Sequence, residues 1–322
     1  MRCVVCTLFE HHYHYGVAVF VNSLCKSGFT GTVYAGYRGP LPDWSKRAAK
    51  LLPNGHTELV VTPEVRIVFI PLDTRAHFAN YKADFMLQLE KLVAADSDAL
   101  IYCDPDLVIN TKWDFIENWL TCGVAICEDV NSPFSEHHPR RIGWRRFFKE
   151  YGYTLNPRIP YYANSGLVGL TWEHRKLLPL WQEFMGRISA LLGGEDVAGI
   201  DGGRKPPGPF GVGDCFSTPD QDALNAVFEA TPDLPISILG REAMGFQAGG
   251  TFFPHALGSP KPWLRNYISR AFSGFAPGKV DKVYWSNAEG PLQPFTKFHL
   301  LYMRTQLAIG SALGRFIKRA SL

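Results

Sequence analysis

The sequence predicts an α/β fold: one domain around a mostly parallel sheet with helices on both faces and an elaborated C-terminal half. Three observations carry this. Short apolar, β-branched runs alternate with helical segments over the first hundred residues, as in strand–helix–strand units. The chain has 322 residues, enough to bury a sizeable core without a disulfide or metal staple. Its composition, 46% hydrophobic and 20% charged, excludes long disorder and fibrous repeats.

Taken in order, Cys3 to Leu8 reads as a strand and Gly16 to Ser27 as a helix ending at Gly28. Gly31 to Gly36 and Val65 to Pro71 are the next strands. Lys82 to Ala94 is an amphipathic helix with Phe85, Met86, Leu89, Leu92 and Val93 on one face and Asp84, Gln88 and Lys91 on the other. Ala99 to Cys103 is a buried strand. Ligands bind such sheets at the carboxyl ends of the strands, so the residues just past each strand matter most. Beyond residue 130 the pattern loosens. Arg140, Arg141, Arg145, Arg146 and Lys149 surround Trp144, Phe147 and Phe148, which reads as cations mixed with exposed aromatics. Gly193 to Pro219 holds eight glycines and four prolines, a long irregular loop expected to cover a site. No internal repeat is present.

Charge and cysteines narrow the class. The net charge is +3 and the pI about 8.4, too mild for a nucleic-acid partner. No stretch is long and apolar enough to span a membrane. Val4 to Phe9 is too short for a signal peptide and runs into Glu10-His11-His12, so a cytoplasmic protein is expected. The seven cysteines are odd in number and irregularly spaced, which suits reduced thiols. Cys3-x-x-Cys6 lies in a strand, where its two thiols face opposite sides, so it is no zinc site. The histidines of Glu10-His11-His12-Tyr13-His14 read as a solvated loop, since adjacent histidines do not easily share one ion.

Four segments carry chemistry. Asp104-Pro105-Asp106 directly follows the strand ending at Cys103, and carboxylates two apart in extended chain point to the same side, where they can share a hard divalent cation. The alternative is a turn closed by an Asx bond. Asp96-Ser97-Asp98 is spelled alike but precedes its strand. His255, Gly258 and Lys261 recur at three-residue steps before Pro262-Trp263, offering an imidazole to a metal, a close backbone approach and an ammonium to phosphate; the alternative is a surface loop anchored by Trp263. Asp220-Gln221-Asp222-x-x-Asn225 begins a helix. Thr218 as N-cap, Pro219 and Gln221 spell a capping box, against which stands a helix start displaying polar groups to an anionic ligand. Asn164-Ser165-Gly166 is a bend at a strand start.

Together and in this order, these four segments resemble glycosyltransferase family 8, the retaining nucleotide-sugar-dependent enzymes that include lipopolysaccharide glycosyltransferases and glycogenin. The resemblance runs from Cys3 to about Trp263 and includes Thr7 to Tyr13, Gly16 and Asn22-Ser23-Leu24. It implies a GT-A type single domain with a Rossmann-like, mostly parallel central sheet, here residues 1–265, followed by a 266–322 extension. It also implies that Asp104, Asp106 and His255 hold manganese, or magnesium, across the diphosphate. Gly258 and Lys261 would contact the phosphates, and Thr7 and Tyr13 would lie beside the base and ribose. Asn164, Asp220 and Gln221 would line the donor sugar, with Pro105 and Ser165 among the donor-binding residues and Gln221 nearest the reacting carbon. Asp220 and Gln221 are the catalytic candidates. Lys82 stands where the family places a basic residue near the donor, although farther from Asp104 than the family spacing. The implied reaction moves a sugar from a UDP-sugar to a saccharide or lipid-linked acceptor with retention of configuration.

Rival readings are weaker. A sugar-nucleotidyltransferase would carry a basic, glycine-rich loop after its first strand, and Leu8-Phe9-Glu10-His11 is not one. A non-catalytic nucleotide-sugar-binding module would be favoured by loss of Asp106, His255 or Lys261, and all three are present. A self-glycosylating primer of the glycogenin type would need an acceptor such as one of the thirteen tyrosines. In the tail, Lys297, Arg304, Arg315, Lys318 and Arg319 interleave with Phe298, Leu301, Tyr302, Ile309, Leu313, Phe316 and Ile317 and with no acid. That pattern suits either contact with an anionic membrane surface at its cytoplasmic face or a helix docked on the core with a solvated basic side.

Overall fold

The computed structural model describes residues 1–46, 48–194, 196 and 215–317, so most of the 193–219 loop, Lys318 and Arg319 lie outside the described residues. In chain order the elements are β1 (Cys3–Glu10), α1 (His14–Ser27), β2 (Gly31–Arg38), α2 (Asp43–Lys46), β3 (Lys50–Leu51), β4 (Thr57–Val60), β5 (Val65–Pro71), α3 (Lys82–Val93), β6 (Ala99–Cys103), α4 (Trp113–Leu120) and β7 (Val124–Glu128). Next come α5 (Pro139–Lys149), β8 (Ala163–Thr171), α6 (Leu177–Leu192), α7 (Pro219–Ala230), β9 (Ile236–Leu239), α8 (Tyr267–Phe272), α9 (Lys279–Ser286) and α10 (Lys297–Leu313). The α/β class is the one the sequence predicts. The chain divides into two compact units, the first comprising residues 1–8, 72–103 and 116–241, the second 9–71, 104–115 and 242–322.

In the first unit β1 pairs with β6 in parallel, Cys3 opposite Ala99 and Cys6 opposite Tyr102. β8 runs antiparallel to β6, with Leu167 opposite Cys103, and antiparallel to β7, which pairs in parallel with β9. Because β8 is reversed, its first residues, Ala163 to Gly166, lie at the edge where β6 ends. α3 buries Phe85, Met86, Leu89 and Val93 as the pattern predicts, while Leu92 is exposed. Lys82 is buried too, because it stands three and four residues before Phe85 and Met86 and so shares their face. In α5 the expectation of exposed aromatics fails. Trp144, Phe147 and Phe148 are core residues, and Arg141 is buried with them, held by Glu229. Their spacing puts all four on one helix face.

In the second unit β2 pairs in parallel with β5, β4 runs antiparallel to β5, and β3 to β4. α1 passes so close to the turn after β6 that a Cβ on Gly16 would lie 2.2 Å from the Pro105 carbonyl oxygen. Only glycine fits there. Val19 of α1, Val108 and Trp263 share a core with Tyr267, Tyr284, Trp285, Leu300, Met303 and Leu307 of the last three helices. α10 is therefore docked on this unit, as one of the two readings of the tail holds. Its outward side still exposes Phe298, Leu301, Tyr302 and Ile309. No helix among the described residues is long and apolar enough to cross a membrane.

Candidate active site

The second unit gathers one cluster of charged groups. Directly after β6, Leu107 N–H closes a turn onto the Asp104 carbonyl. The following residues are met by an antiparallel segment: Val108 N–H donates to the Pro254 carbonyl, Ala256 N–H to the Asp106 carbonyl, and Leu107 bridges to His255. This pairing carries His255 across a wide sequence gap to the two carboxylates. Its Nε2 lies 3.3 Å from Asp106 Oδ1 and 3.7 Å from Asp104 Oδ2. The other oxygen of Asp106 accepts a 2.5 Å bond from Lys261 Nζ, which also donates to the Ala256 carbonyl at 2.9 Å. Burial alone would raise the Asp106 pKa, but the facing His255 and Lys261 hold it well below the usual carboxylate range. Burial would lower the Lys261 pKa, but the charge and hydrogen bond of Asp106, with Tyr13 and Asp104 nearby, together raise it.

These three side chains fit a divalent ion. One ligand atom from each of Asp104, Asp106 and His255 lies within 4.8 Å of the others, and among the described residues this is the metal-competent group found. Two hard oxygens and one imidazole nitrogen suit manganese or magnesium better than a thiolate-loving metal. Nearby, Lys261 stands 5.8 Å over the Tyr13 ring, which stacks on His12 and meets Trp263 edge-on. Trp263 Nε1–H donates to His12 Nδ1 and Trp44 Nε1–H to His14 Nδ1, so these histidines are packing partners; the expected solvated loop is instead a short 3-10 helix over His11–Tyr13 that runs into α1. Gly258 has φ +72° with open space where a Cβ would stand, an exposed backbone position.

The first unit gathers a second cluster, almost wholly buried. Lys82 Nζ is 2.9 Å from Asp220 Oδ2 and donates to Ser165 Oγ at 3.1 Å, while Ser165 Oγ donates to Asp220 Oδ2. Ser165 N–H donates to Gln221 Oε1 at 3.2 Å. The predicted capping box is therefore replaced. Thr218 makes no side-chain cap, its N–H goes to Asp222 Oδ2, and Gln221 turns to β8 instead. Asn225 binds both backbone groups of Ala163. Asn164 is bonded at both ends of its amide: its Nδ2 donates to Asp129 Oδ2 and its Oδ1 accepts from Gly166 N–H, each at 2.8 Å. Tyr162 O–H donates to Asp222 Oδ1 at 2.7 Å, and burial pushes the Asp222 pKa up to about 7. Thr7, in β1, is fully buried and its hydroxyl finds no partner among the described residues.

The structure thus brings Lys82, Ser165, Asp220 and Gln221 into one network, and Asp104, Asp106, His255 and Lys261 into another. Sequence reasoning misses Asp129 and Tyr162. The signal for Asp129 was present, since it follows the apolar run Val124 to Cys127 much as Asp104 follows β6. Asp98, at the opposite sheet edge, accepts from the Arg2 N–H, which fits its exclusion.

No known family model matches the chain, and no curated protein matches it in sequence. Solved structures do. The apo structure of the bifunctional glycosyltransferase WbbM matches with a TM-score of 0.53 at 15% identity, over 95% of this chain and 52% of that one. The chain has a GT-A fold. It spans about half the length of the WbbM structure. The galactosyltransferase LgtC, in complex with donor and acceptor sugar analogs, matches with a TM-score of 0.48 and 15% identity, over 94% of this chain and 100% of that one. The glycosyltransferase GlyE of Streptococcus pneumoniae TIGR4 matches with 0.48 and 14%, over 95% of this chain and 63% of that one. At such identities the likeness is one of fold, and the GT-A fold leaves the reaction to the chemistry of the site.

Proposed function

We propose that the chain is a metal-dependent glycosyltransferase that moves a sugar from a nucleotide sugar, by resemblance a UDP-sugar, to a saccharide or lipid-linked acceptor with retention of configuration. The observation that carries this reading is the Asp104, Asp106 and His255 set with Lys261 bonded to it, directly after a parallel strand of a GT-A fold. Asp104, Asp106 and His255 would hold the divalent ion. Bound there, it supplies positive charge to the leaving diphosphate. Lys261 and the Gly258 backbone contribute to the same charge, and Tyr13 offers a ring to the nucleoside. Asp220 and Gln221 line the donor sugar. In the transfer, the acceptor oxygen bonds to the anomeric carbon as the bond from that carbon to the diphosphate breaks. The acceptor proton passes to the departing phosphate oxygen, so no protein base is needed. Gln221 is an amide and a poor nucleophile, which favours this same-face route over a covalent intermediate. Its carbonyl, steered by the Ser165 N–H, stabilises the oxocarbenium-like carbon through its dipole.

The 266–322 extension serves a peripheral contact with an anionic membrane at its cytoplasmic face, supported by Phe298, Leu301 and Tyr302 exposed beside Lys297. Cosedimentation with anionic but not neutral vesicles tests this part. The main test is a thermal-shift panel of UDP, GDP, CDP and ADP with and without manganese. A ligand at a hundred times its Kd adds about 2.7 kcal/mol, which raises Tm by several degrees. A UDP shift that requires manganese is expected. A shift with no nucleotide, or one indifferent to manganese, overturns the reading.

A further inference from the structure

The buried cluster of the first unit carries a cation that the proposed reaction does not use. Around the donor-sugar residues stand three carboxylates, Asp129, Asp220 and Asp222. All three are hydrogen-bonded, Asp129 by Asn131 and Asn164, Asp220 by Lys82 and Ser165, and Asp222 by Tyr162 and the Thr218 N–H; among the described residues only Asp220 is also paired with a cation. Next to them, α5 presents arginines that are spent unequally. Arg141 and Arg145 both clasp Glu229, at 2.6 and 2.8 Å, and are structural. Arg140, half-buried at the start of the same helix, makes no side-chain hydrogen bond or ion pair among the described residues. Its guanidinium lies 5.5 Å from the centre of the Phe134 ring. That ring is the middle of a stack, 3.9 Å from His138 on one side and 4.2 Å from Tyr162 on the other. Tyr162 is the residue whose hydroxyl holds Asp222.

Both faces of the Phe134 ring are taken, so the guanidinium stands beside the stack, positioned and half-buried, while its N–H fork stays available for a bidentate partner. The bland alternative is that Arg140 exists to neutralise Asp222. Against it, the two form no ion pair, and Asp222 keeps a pKa of about 7 despite the arginine, so burial is left largely uncompensated. Acidic clusters recognise neutral sugar hydroxyls as acceptors of hydrogen bonds. An unspent, pre-positioned guanidinium among them adds selectivity for a different substituent, one with two adjacent anionic oxygens.

We propose that Arg140 is a specificity-determining residue that reads a carboxylate or phosphate on one of the two saccharide substrates. The inference rests on the glycosyltransferase reading, and it names the chemical class of substrate: an anionic sugar, either in the donor as a uronic acid or in the acceptor as a uronic acid or sugar phosphate. Arg146, exposed on the same helix, supplies a control of equal charge.

The experiment uses the full chain with manganese. Binding of UDP alone is measured first, because its absence would fault the parent reading and not this one. The donor arm then compares UDP-galacturonate with UDP-galactose. The acceptor arm saturates the protein with UDP and compares galacturonate and galactose 6-phosphate with galactose. The expected result is that the anionic member of at least one arm binds about tenfold or more tightly. Arg140→Gln should remove that preference while UDP still binds, Arg140→Lys should keep part of it, and Arg146→Gln should leave it intact. Preference in the donor arm assigns the anion to the donor, and preference in the acceptor arm to the acceptor. Equal binding of charged and neutral sugars in both arms overturns the proposal. So does a preference that survives in Arg140→Gln.

Discussion

The two clusters are built from the same residue types by opposite means. In the one after β6, Asp104, Asp106, His255 and Lys261 stand on turns and irregular segments, with Asp104 and Lys261 partly open to solvent. In the one at the start of β8, Lys82, Ser165, Asp220, Gln221 and Asn164 come from strand and helix ends, all buried, and nearly every polar atom has a protein partner. The contrast separates two uses of charge. A cluster whose charges stand on turns and irregular segments, two of them partly open to solvent, is arranged to meet an external ion. A saturated, buried one is part of the core as well as of a site. Substitutions in the second should therefore be read in stability, and in the first chiefly in ligand affinity.

The largest effect is expected at Asp220. Asp220→Ala leaves the Lys82 ammonium, with 4% of its side chain exposed, without its ion-pair partner. Breaking one side of a buried pair costs about 3–5 kcal/mol, on the order of ten degrees in Tm. The double variant Lys82→Met with Asp220→Asn should recover part of that loss. A single variant melting within a degree of the parent would erase the contrast.

Next comes Asp222. Burial raises its pKa from 3.8 to about 7, so the folded chain holds a proton that the unfolded chain has released. Its contribution to stability is therefore intact below about pH 4 and is lost as the pH rises towards 7. A shift of that size corresponds to on the order of 4 kcal/mol. Asp222→Asn should flatten the slope of unfolding free energy over that range. A parallel slope in variant and parent would assign the pH dependence to other groups.

How far the sequence revealed this depends on the range of the forces that place each residue. The strands over Val65–Pro71 and Ala99–Cys103 fall on the residues that the apolar runs mark, because burial of β-branched runs is local. Asp104 and Asp106 were legible because they end such a strand. Lys82 was placeable from helical spacing alone, by its position relative to Phe85 and Met86. Trp144, Phe147 and Phe148 were misread as exposed because their cationic neighbours hid a helical period that Arg141 itself shares. His255 was a candidate from its spacing to Gly258 and Lys261, but nothing local showed that it meets Asp104 and Asp106, because what fixes residues 252–256 is long-range pairing to 106–110. Only a resemblance could point there. Asp129 was missed because β7 was not read as a strand.

Within the open cluster, Asp104→Ala should leave Tm within about a degree yet weaken manganese-dependent nucleotide binding about 100-fold, roughly 2.7 kcal/mol. Equal binding by the variant would remove Asp104 from the metal set. A smaller effect would come from Gly16. Its α-helix carries no ligand, but an added Cβ would lie 2.2 Å from the Pro105 carbonyl oxygen and 2.9 Å from the Trp263 ring, so helix or turn must shift. Overpacking of this kind costs about 1–3 kcal/mol. The turn is the softer partner, because it is closed by the Leu107-to-Asp104 bond while α1 is a full helix. Gly16→Ala should thus displace Asp104 and Asp106 and weaken manganese-dependent binding of UDP as well as stability. Gly186→Ala in α6, where the added methyl meets nothing within 4 Å, supplies the control and should stabilise by about 0.4–1 kcal/mol. If Gly16→Ala destabilised the chain while its UDP affinity with manganese stayed at the parent value, the carboxylates would be held by their pairing to 252–256 alone. The open cluster would then be as firmly seated as the buried one.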